Sequence, residues 1–368
     1  MDPFPDRFDR VRERMVRLGV DVLALSVGAD LPWLCGYEAM PLERLTMLVV
    51  PKDGDATLVV PALEAPRVTE RPGLFHLRPW GETEDPIAVV ADLIGSASTV
   101  AVGDRTWARF LIDLQRARPL ARFGRASEVT VALRAVKDDA EVAALRAAAA
   151  AADAVAHELQ IGEVPLVGRT EAEVSADLGR RLVQRGHQRV NFAIVAAGEN
   201  AASPHHEPGP RVIGPDEVVL CDFGGTMADA VGVGYCSDIT RCVWTGSPTR
   251  EAAEVYDVLR AAQQAAVDAV AVGTSAAAVD RAARDVIAGA GLGEHFVHRT
   301  GHGIGVEEHE DPYVVEGNAE ELVAGNAFSI EPGIYLPGRF GFRLEDIVVA
   351  DGSGAVRLNH ADRSLVQV

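Results

Sequence analysis

Lysine is almost absent from this chain, cysteine is scarce, and no apolar run is long enough to cross a membrane. Alanine, glycine and arginine are abundant beside the missing lysine, a bias of genome composition without functional weight. Four cysteines, Cys35, Cys221, Cys236 and Cys242, are too few for a disulfide framework in 368 residues, and none shows a Cys-x-x-Cys spacing. A reducing, cytoplasmic setting is expected. The longest apolar stretch, near 143–156, is broken by Arg146 and Asp153, so no membrane span is expected. The opening residues, MDPFPDRFDRVRERM, are charged from the second position and lack the basic start and apolar run of a secretory signal. Positive charge is also in deficit. A net charge of −19 disfavours nucleic acid, whose phosphates would be repelled, and an anionic membrane surface. The acidity is read as a contribution to solubility.

The length favours two domains over one. With 48% hydrophobic and 24% charged residues, the chain has an ordinary globular mix. Residues 1–132 alternate short helical and strand patterns. Apolar residues recur at helical spacing over 8–18, and 21–27 (DVLALSV) reads as a strand. Strands at 47–50 and 57–60 flank the turn signal Lys52-Asp-Gly-Asp55 and read as a hairpin. A helix over 87–94 and a strand over 99–102 complete a mixed α/β domain. It holds no dense cluster of ligating side chains; Trp33, Tyr37, His76 and Trp80 are scattered and read as packing residues. Residues 126–137 lead into an alanine-rich helix over 138–158, and the second domain takes 133–368.

In that second domain a helix is expected from Thr170 to a stop at Gly186. The Thr170 hydroxyl can cap it, and Glu171 and Glu173 suit its positive end. A strand over 191–195 leads into a loop of small residues that ends in His205-His206. Strands over 217–223 and 235–244, joined by a glycine-rich loop at 224–234, read as a β-hairpin. Asp222 and Asp238 sit in these apolar strands, where charge is costly unless compensated. Thr240 shares a strand face with Asp238 and can hydrogen-bond it. Helices over 249–272 and 275–290 show only packing patterns. The stretch HRTGHGIGVEEHE then gathers His298, His302 and His309 among Gly301, Gly303 and Gly305, whose missing side chains let the backbone pass close to a bound group. The alternative is a polar loop whose histidines touch only water. Last, 327–335 and 341–350 read as a second hairpin around Leu336-Pro-Gly-Arg339. Each strand embeds a glutamate, Glu331 and Glu345, with Arg343 on the face of Glu345.

Asp222, Asp238, His302, Glu331 and Glu345 thus come from three separate stretches. Two divalent cations would balance the four carboxylates and let them converge without repulsion. Carboxylates with one imidazole suit Mn²⁺ or Co²⁺ and admit Zn²⁺. A paired-metal site lowers the pKa of a bridging water, so hydrolysis is the chemistry expected.

These blocks resemble a known family. DFG at Asp222, YCSDITR around Asp238, TGHGIG around His302, VEEHE ending at Glu310, SIEPGIY around Glu331 and RLED around Glu345 are similar, in order, to motifs of the pita-bread metallopeptidases. That group includes methionine aminopeptidase, aminopeptidase P and prolidase. The resemblance covers about residues 133–368, and residues 1–132 resemble the creatinase-like N-terminal domain of aminopeptidase P and prolidase by pattern and length. It implies an α/β (α+β) chain with that domain followed by a pita-bread catalytic domain. It implies that Asp222, Asp238, His302, Glu331 and Glu345 hold two metal ions, Mn²⁺ first, with Asp238 and Glu345 bridging. It implies catalytic roles for His205, His309 and Glu331, the last shuttling a proton, and substrate-pocket roles for His298 and Arg343. The reaction implied is hydrolysis of an Xaa-Pro bond in a small peptide by hydroxide activated between the metals. An Xaa-Pro dipeptidase, as a cytoplasmic homodimer without nucleic-acid or membrane partners, is the favoured reading. Alternatives are aminopeptidase P activity on longer Xaa-Pro-Xaa peptides, hydrolysis of a small non-peptide amide, and a non-catalytic binding protein. Methionine aminopeptidase is disfavoured by the first domain. Creatinase is disfavoured because it lacks the metal ligands, all of which stand in this chain.

Three departures from the family pattern stand out. Asp222 and Asp238 are 16 positions apart where about eleven is usual, an insertion that a hairpin tip tolerates. The longer loop carries Asp229 as a spare carboxylate. Cys242 stands where threonine is commoner, and Arg299 precedes TGHG where many relatives carry glycine. Arg299 and the longer loop are expected to shape substrate preference.

Overall fold

A computed structural model describes residues 2–368. Contacts divide the chain into two compact units. The first holds the residues up to Arg134 with Ala230–Val233; the second holds Ala135–Asp229 and Gly234–Val368.

In the first unit, helix α1 (Phe4–Leu18) buries Phe4, Phe8, Val11 and Met15 along one stripe and ends on Gly19 in the left-handed region. There follow β1 (Val22–Leu25), α2 (Asp30–Cys35), β2 (Met47–Pro51), β3 (Ala56–Pro61), β4 (Phe75–Trp80), α3 (Pro86–Ile94), β5 (Thr99–Val102), α4 (Ala108–Ala117), β6 (Arg122–Arg125) and α5 (Ser127–Arg134). The strands form one six-stranded mixed sheet in the order β4-β3-β2-β1-β5-β6. β2 and β3 pair antiparallel across the expected turn.

The second unit opens with α6 (Asp139–Gln160), which starts from a reciprocal capping box between Asp138 and Glu141. α7 (Glu171–Gln184) starts the same way from Thr170 and Glu173. Next come β7 (Arg189–Ala197), β8 (Val218–Ala228), β9 (Gly234–Cys236) and β10 (Ile239–Trp244). Helices α8 (Arg250–Ala269) and α9 (Ala276–Gly289) are capped by the hydroxyls of Thr249 and Ser275. The remainder is β-structure: β11 (Gly301–Gly303), β12 (Glu310–Val314), β13 (Ala327–Ile330), β14 (Gly333–Leu336), β15 (Phe340–Arg343), β16 (Asp346–Asp351), β17 (Gly354–Arg357) and β18 (Val366–Gln367). One sheet runs β18-β10-β8-β7 with β9 on β8, and another runs β12-β11-β13-β16-β17. Apolar faces of α6 and α7 pack on Val195, Val219, Phe223, Ile239 and Val243. Those of α8 and α9 pack on Leu220, Cys242, Phe328, Phe342 and Val348.

Three acids expected inside strands sit where strands break. β8 runs on to Ala228, so the loop expected at 224–234 contracts to 229–233. The strand expected over 235–244 is interrupted at Ser237-Asp238. The second hairpin is two pairings: β14 with β15 around the turn, and β13 with β16 in the larger sheet. Its breaks fall at Glu331-Pro332 and Leu344-Glu345. Proline cannot donate to a ladder, which ends β13. The broken backbone is not left unpaired: Glu331 N–H donates to Thr300 O (2.7 Å) and Ser237 N–H to Gly225 O (2.8 Å). A carboxylate at a break is free of the strict up-and-down alternation of a ladder.

Gly301 and Gly303 serve close packing of strands. A Cβ at Gly301 would run into the Ser329 carbonyl of β13, and one at Gly303 into the Asp311 carbonyl of β12. Among the described residues no helix is long and apolar enough to cross a membrane.

Candidate metal centre

Asp222 lies on β8 opposite Thr240 of β10, and Asp238 lies two residues before Thr240, where the two aspartates can face the same side. His302 is the middle residue of β11, Glu331 follows β13 and Glu345 precedes β16. These five residues, with His205, His298, His309 and Arg343, line one cavity of about 590 Å³. Ligating atoms of Asp238, His302 and Glu345 lie within 4.8 Å of one another. His302 Nε2 is 3.2 Å from Glu331 Oε1 and 3.8 Å from Asp238 Oδ2. Its Nδ1 lies 3.1 Å from the Gly303 carbonyl, which can only accept, so Nδ1 carries a proton. Nε2 therefore meets the carboxylates as a second N–H or as a metal ligand.

The donor set fits divalent cations. Asp222 Oδ1, Asp238 Oδ1 and Glu345 Oε1 are buried without a hydrogen-bond partner. Burial first, then the neighbouring carboxylates, push the carboxyls of Asp238 and Glu345 well above the usual range. Glu331 differs: burial pushes it up, but the His302 hydrogen bond and the nearby cationic groups bring it down to about 2. Unpartnered buried oxygens and repulsion between carboxylates are both costly, and divalent cations among them relieve both. Carboxylates with one imidazole suit Mn²⁺, Co²⁺ or Zn²⁺.

A hydrogen-bonded chain supports these carboxylates. Arg343 donates to Asp222 Oδ2 (2.5 Å), Thr240 Oγ1 (3.2 Å), the Pro204 carbonyl (3.1 Å) and the Tyr335 hydroxyl (2.9 Å). Thr240 donates to Glu345 Oε2 (2.7 Å). One expectation is corrected here: Thr240 serves Glu345 instead of Asp238. Arg343 stays near Glu345 through their shared Thr240 hydroxyl, but its direct carboxylate partner is Asp222. The break at Leu344 separates Arg343 and Glu345 from any common strand face. His298 Nδ1 donates to the Arg299 carbonyl (2.7 Å), and its Nε2 accepts from the Tyr335 hydroxyl (2.9 Å). Burial pushes Tyr335 up to about 12, so its proton is retained. His298 and Arg343 thus line the cavity while spending these polar contacts within the protein.

The His309 ring lies against that of His302, with centroids 3.9 Å apart and planes tilted by 46°. Its Nδ1 accepts from Arg299 Nη2 (3.3 Å), which leaves its proton on Nε2. Burial, then the charges of His302 and Arg299, push it down to about 4. Arg299 also lies 4.7 Å from the Tyr313 ring centre. The adjacent His205 and His206 part company: His205 lines the cavity, and His206 bonds the buried Glu171 (2.8 Å). Asp229 lies in the 229–233 turn and not among the cavity-lining residues.

Comparison with known proteins identifies the family. Residues 143–351 match Metallopeptidase family M24, and residues 7–136 match the Creatinase/Prolidase N-terminal domain. The chain belongs to metallopeptidase family M24. This M24 chain is 42% identical over 354 residues to the Probable dipeptidase PepE of Mycobacterium tuberculosis, covering 95% of this chain and 92% of that one. It is 36% identical over 369 residues to the Xaa-Pro dipeptidase of Lactobacillus helveticus, covering 97% of each. The crystal structure of a recombinant prolidase from Thermococcus sibiricus matches with a TM-score of 0.92 at 34% identity, covering 100% of both chains. The M24 region thus has the pita-bread fold, and the protein is a metallo-exopeptidase that uses divalent metal ions.

Sequence reasoning missed three supports of this M24 site. Tyr335 bridges His298 and Arg343. Lys137 forms a buried ion pair with Glu310, next to His309. His187 Nε2 accepts from Ser237 Oγ (2.8 Å), which pins the break beside Asp238. A lysine in a chain nearly without lysine was the one available signal.

Proposed function

We propose that this M24 peptidase is an Xaa-Pro dipeptidase that holds two divalent ions on Asp222, Asp238, His302, Glu331 and Glu345. Mn²⁺ is the first choice, with Co²⁺ or Zn²⁺ as alternatives. The observation that carries the reading is the trio of unpartnered buried carboxylate oxygens beside His302, within one cavity. The Xaa-Pro dipeptidase relative of Lactobacillus helveticus supports the substrate class. Residues 1–132 form the creatinase-like domain and 133–368 the catalytic domain of a cytoplasmic homodimer.

When bound, the ions polarise the scissile carbonyl and lower the pKa of water. Glu331, with the Arg343 guanidinium 4.0 Å away, accepts a proton from the attacking water and delivers it to the departing proline nitrogen. His309, with a pKa of about 4, is neutral at pH 7 and offers its Nε2–H to the oxyanion that develops. His205 offers a second imidazole at the cavity. Phe192 and Ile194 supply apolar wall in the cavity that His298 also lines. A proline nitrogen after the scissile bond has no N–H, so a wall without an acceptor there loses nothing.

The test compares Ala-Pro with Ala-Pro-Ala in the presence of Mn²⁺, Co²⁺ or Zn²⁺. The dipeptide should be the better substrate by about tenfold in kcat/KM, or about 1.4 kcal/mol of transition-state binding. Preference for the tripeptide would favour the aminopeptidase P reading. Inactivity on both with every metal would sink the Xaa-Pro reading.

A further inference from the structure

Arg241, next to Thr240 on β10, is 0% exposed and does not itself line the cavity. A guanidinium has five N–H groups, and all five of this one have acceptors. Nη1 donates to the Thr240 carbonyl (3.0 Å) and the Glu345 carbonyl (2.6 Å). Nη2 donates to Asp346 Oδ1 (2.7 Å) and the Ala361 carbonyl (3.0 Å). Nε donates to the Asp362 carbonyl (2.9 Å). Asp346 is also 0% exposed and accepts further from Gln263 (2.8 Å) and Arg357 (2.5 Å).

These partners fall on two sides. Thr240, Glu345 and Asp346 belong to the strand ends that carry the ligands Asp238 and Glu345. Ala361 and Asp362 belong to a segment that then runs into β18, parallel to β10. Gln160 and Tyr256 anchor that segment through the carbonyls of Asp362 (2.7 Å) and Arg363 (3.2 Å). At the β15–β16 break, the Glu345 N–H reaches the Thr240 carbonyl only at 3.3 Å. The shorter bond from Arg241 is the stronger hold on this backbone. None of the five bonds goes to a ligand carboxylate, so Arg241 sets position without competing for a cation.

We propose that Arg241 is a positioning residue for the metal centre, and that the 361–362 carbonyls are part of the device because they complete its coordination. It fixes the separation of the Asp238–Thr240 strand from Glu345. The inference rests on the reading of Asp238 and Glu345 as metal ligands.

The test is Mn²⁺ titration of the metal-free protein by calorimetry, which needs no substrate. The double variant R241Q/D346N removes both charges of the fully buried pair together, and Arg357, which loses the Asp346 charge, keeps its bonds to Gln263 and Gln264. It should fold and bind Mn²⁺ about 10- to 100-fold more weakly, the usual effect of losing support behind a ligand. R241K keeps the charge but has three donors, and should not restore the affinity. Under a purely electrostatic role it would. A folded double variant with wild-type affinity overturns the proposal. Should the variants not fold, hydrogen exchange on the wild-type protein decides. Amides of residues 358–364 should exchange more slowly with Mn²⁺ than without, and equal exchange overturns the idea. A wild-type chain that binds no Mn²⁺ overturns both this inference and the metal reading beneath it. Mn²⁺ binding without Xaa-Pro hydrolysis overturns only the substrate assignment.

Discussion

Replacing Asp238 by asparagine removes one charge from the centre with almost no change of shape, and the metal-free protein should gain stability from it. Asp238 and Glu345 are buried, and their ligating atoms lie within 4.8 Å of one another. Two ionised carboxylates at that distance repel by about 3.5 kcal/mol at an effective dielectric of about 20. Relief of up to that amount corresponds to a Tm gain of roughly 7–14 °C in a unit of this size. The pH dependence gives the sign. Both groups titrate higher in the folded protein than in the unfolded chain, where carboxyls titrate near 4. Above about pH 4 the unfolded chain releases protons that the folded state keeps. Their contribution is therefore complete below about pH 4 and is lost as pH rises, by about 1.4 kcal/mol per pH unit for each such group. The advantage of Asp238→Asn should vanish near pH 4 and widen toward pH 8. Mn²⁺ should reverse the order: the wild-type protein gains stability by mass action, and the variant gains little and does not hydrolyse substrate. The assay is thermal unfolding in chelator from pH 4 to 8, repeated with Mn²⁺. A metal-free variant less stable than wild type at pH 7, or an offset constant across pH, would refute the reasoning. Undiminished Mn²⁺ binding and activity would refute the ligand assignment.

Thr240→Val deletes the hydroxyl that donates to Glu345 while keeping its volume, and should weaken Mn²⁺ binding about tenfold by calorimetry; an unchanged Kd counts against its supporting role. Tyr335→Phe leaves His298 Nε2 without a donor and takes one acceptor from Arg343. It should lower kcat/KM about tenfold, with Mn²⁺ affinity within about twofold, and an equal loss of metal affinity would place its effect on the ligands instead.

Local signals were legible and held. Thr170 and Glu173 lie three residues apart, and their capping box starts α7 where expected. The turn at 52–55 joined β2 to β3 for the same reason: a few neighbouring residues decide it. What went unread depends on partners far along the chain. Thr240 reaches Glu345 across 105 positions, Arg343 reaches Asp222 across 121, and Lys137 reaches Glu310 across 173. Alternation within a strand placed Thr240 with Asp238, and the strand break at Asp238 undid that pairing; Arg343 and Glu345 stay close, but through the Thr240 hydroxyl and not through a shared strand face. Only the Glu331 break carried a mark in the sequence, the following proline.

By itself the sequence determined the chemical inventory: four acids, His302 and the histidines around it, set in motifs whose residue types depend on local chemistry. It also determined the helices, whose caps and apolar stripes are short-range. The tertiary structure decided which oxygens lie buried without a partner, that His298 and Arg343 spend their polar contacts inside the protein, and that Arg241 clasps Glu345 to the 361–362 segment. Those are consequences of where separate sheets meet, which no local pattern encodes.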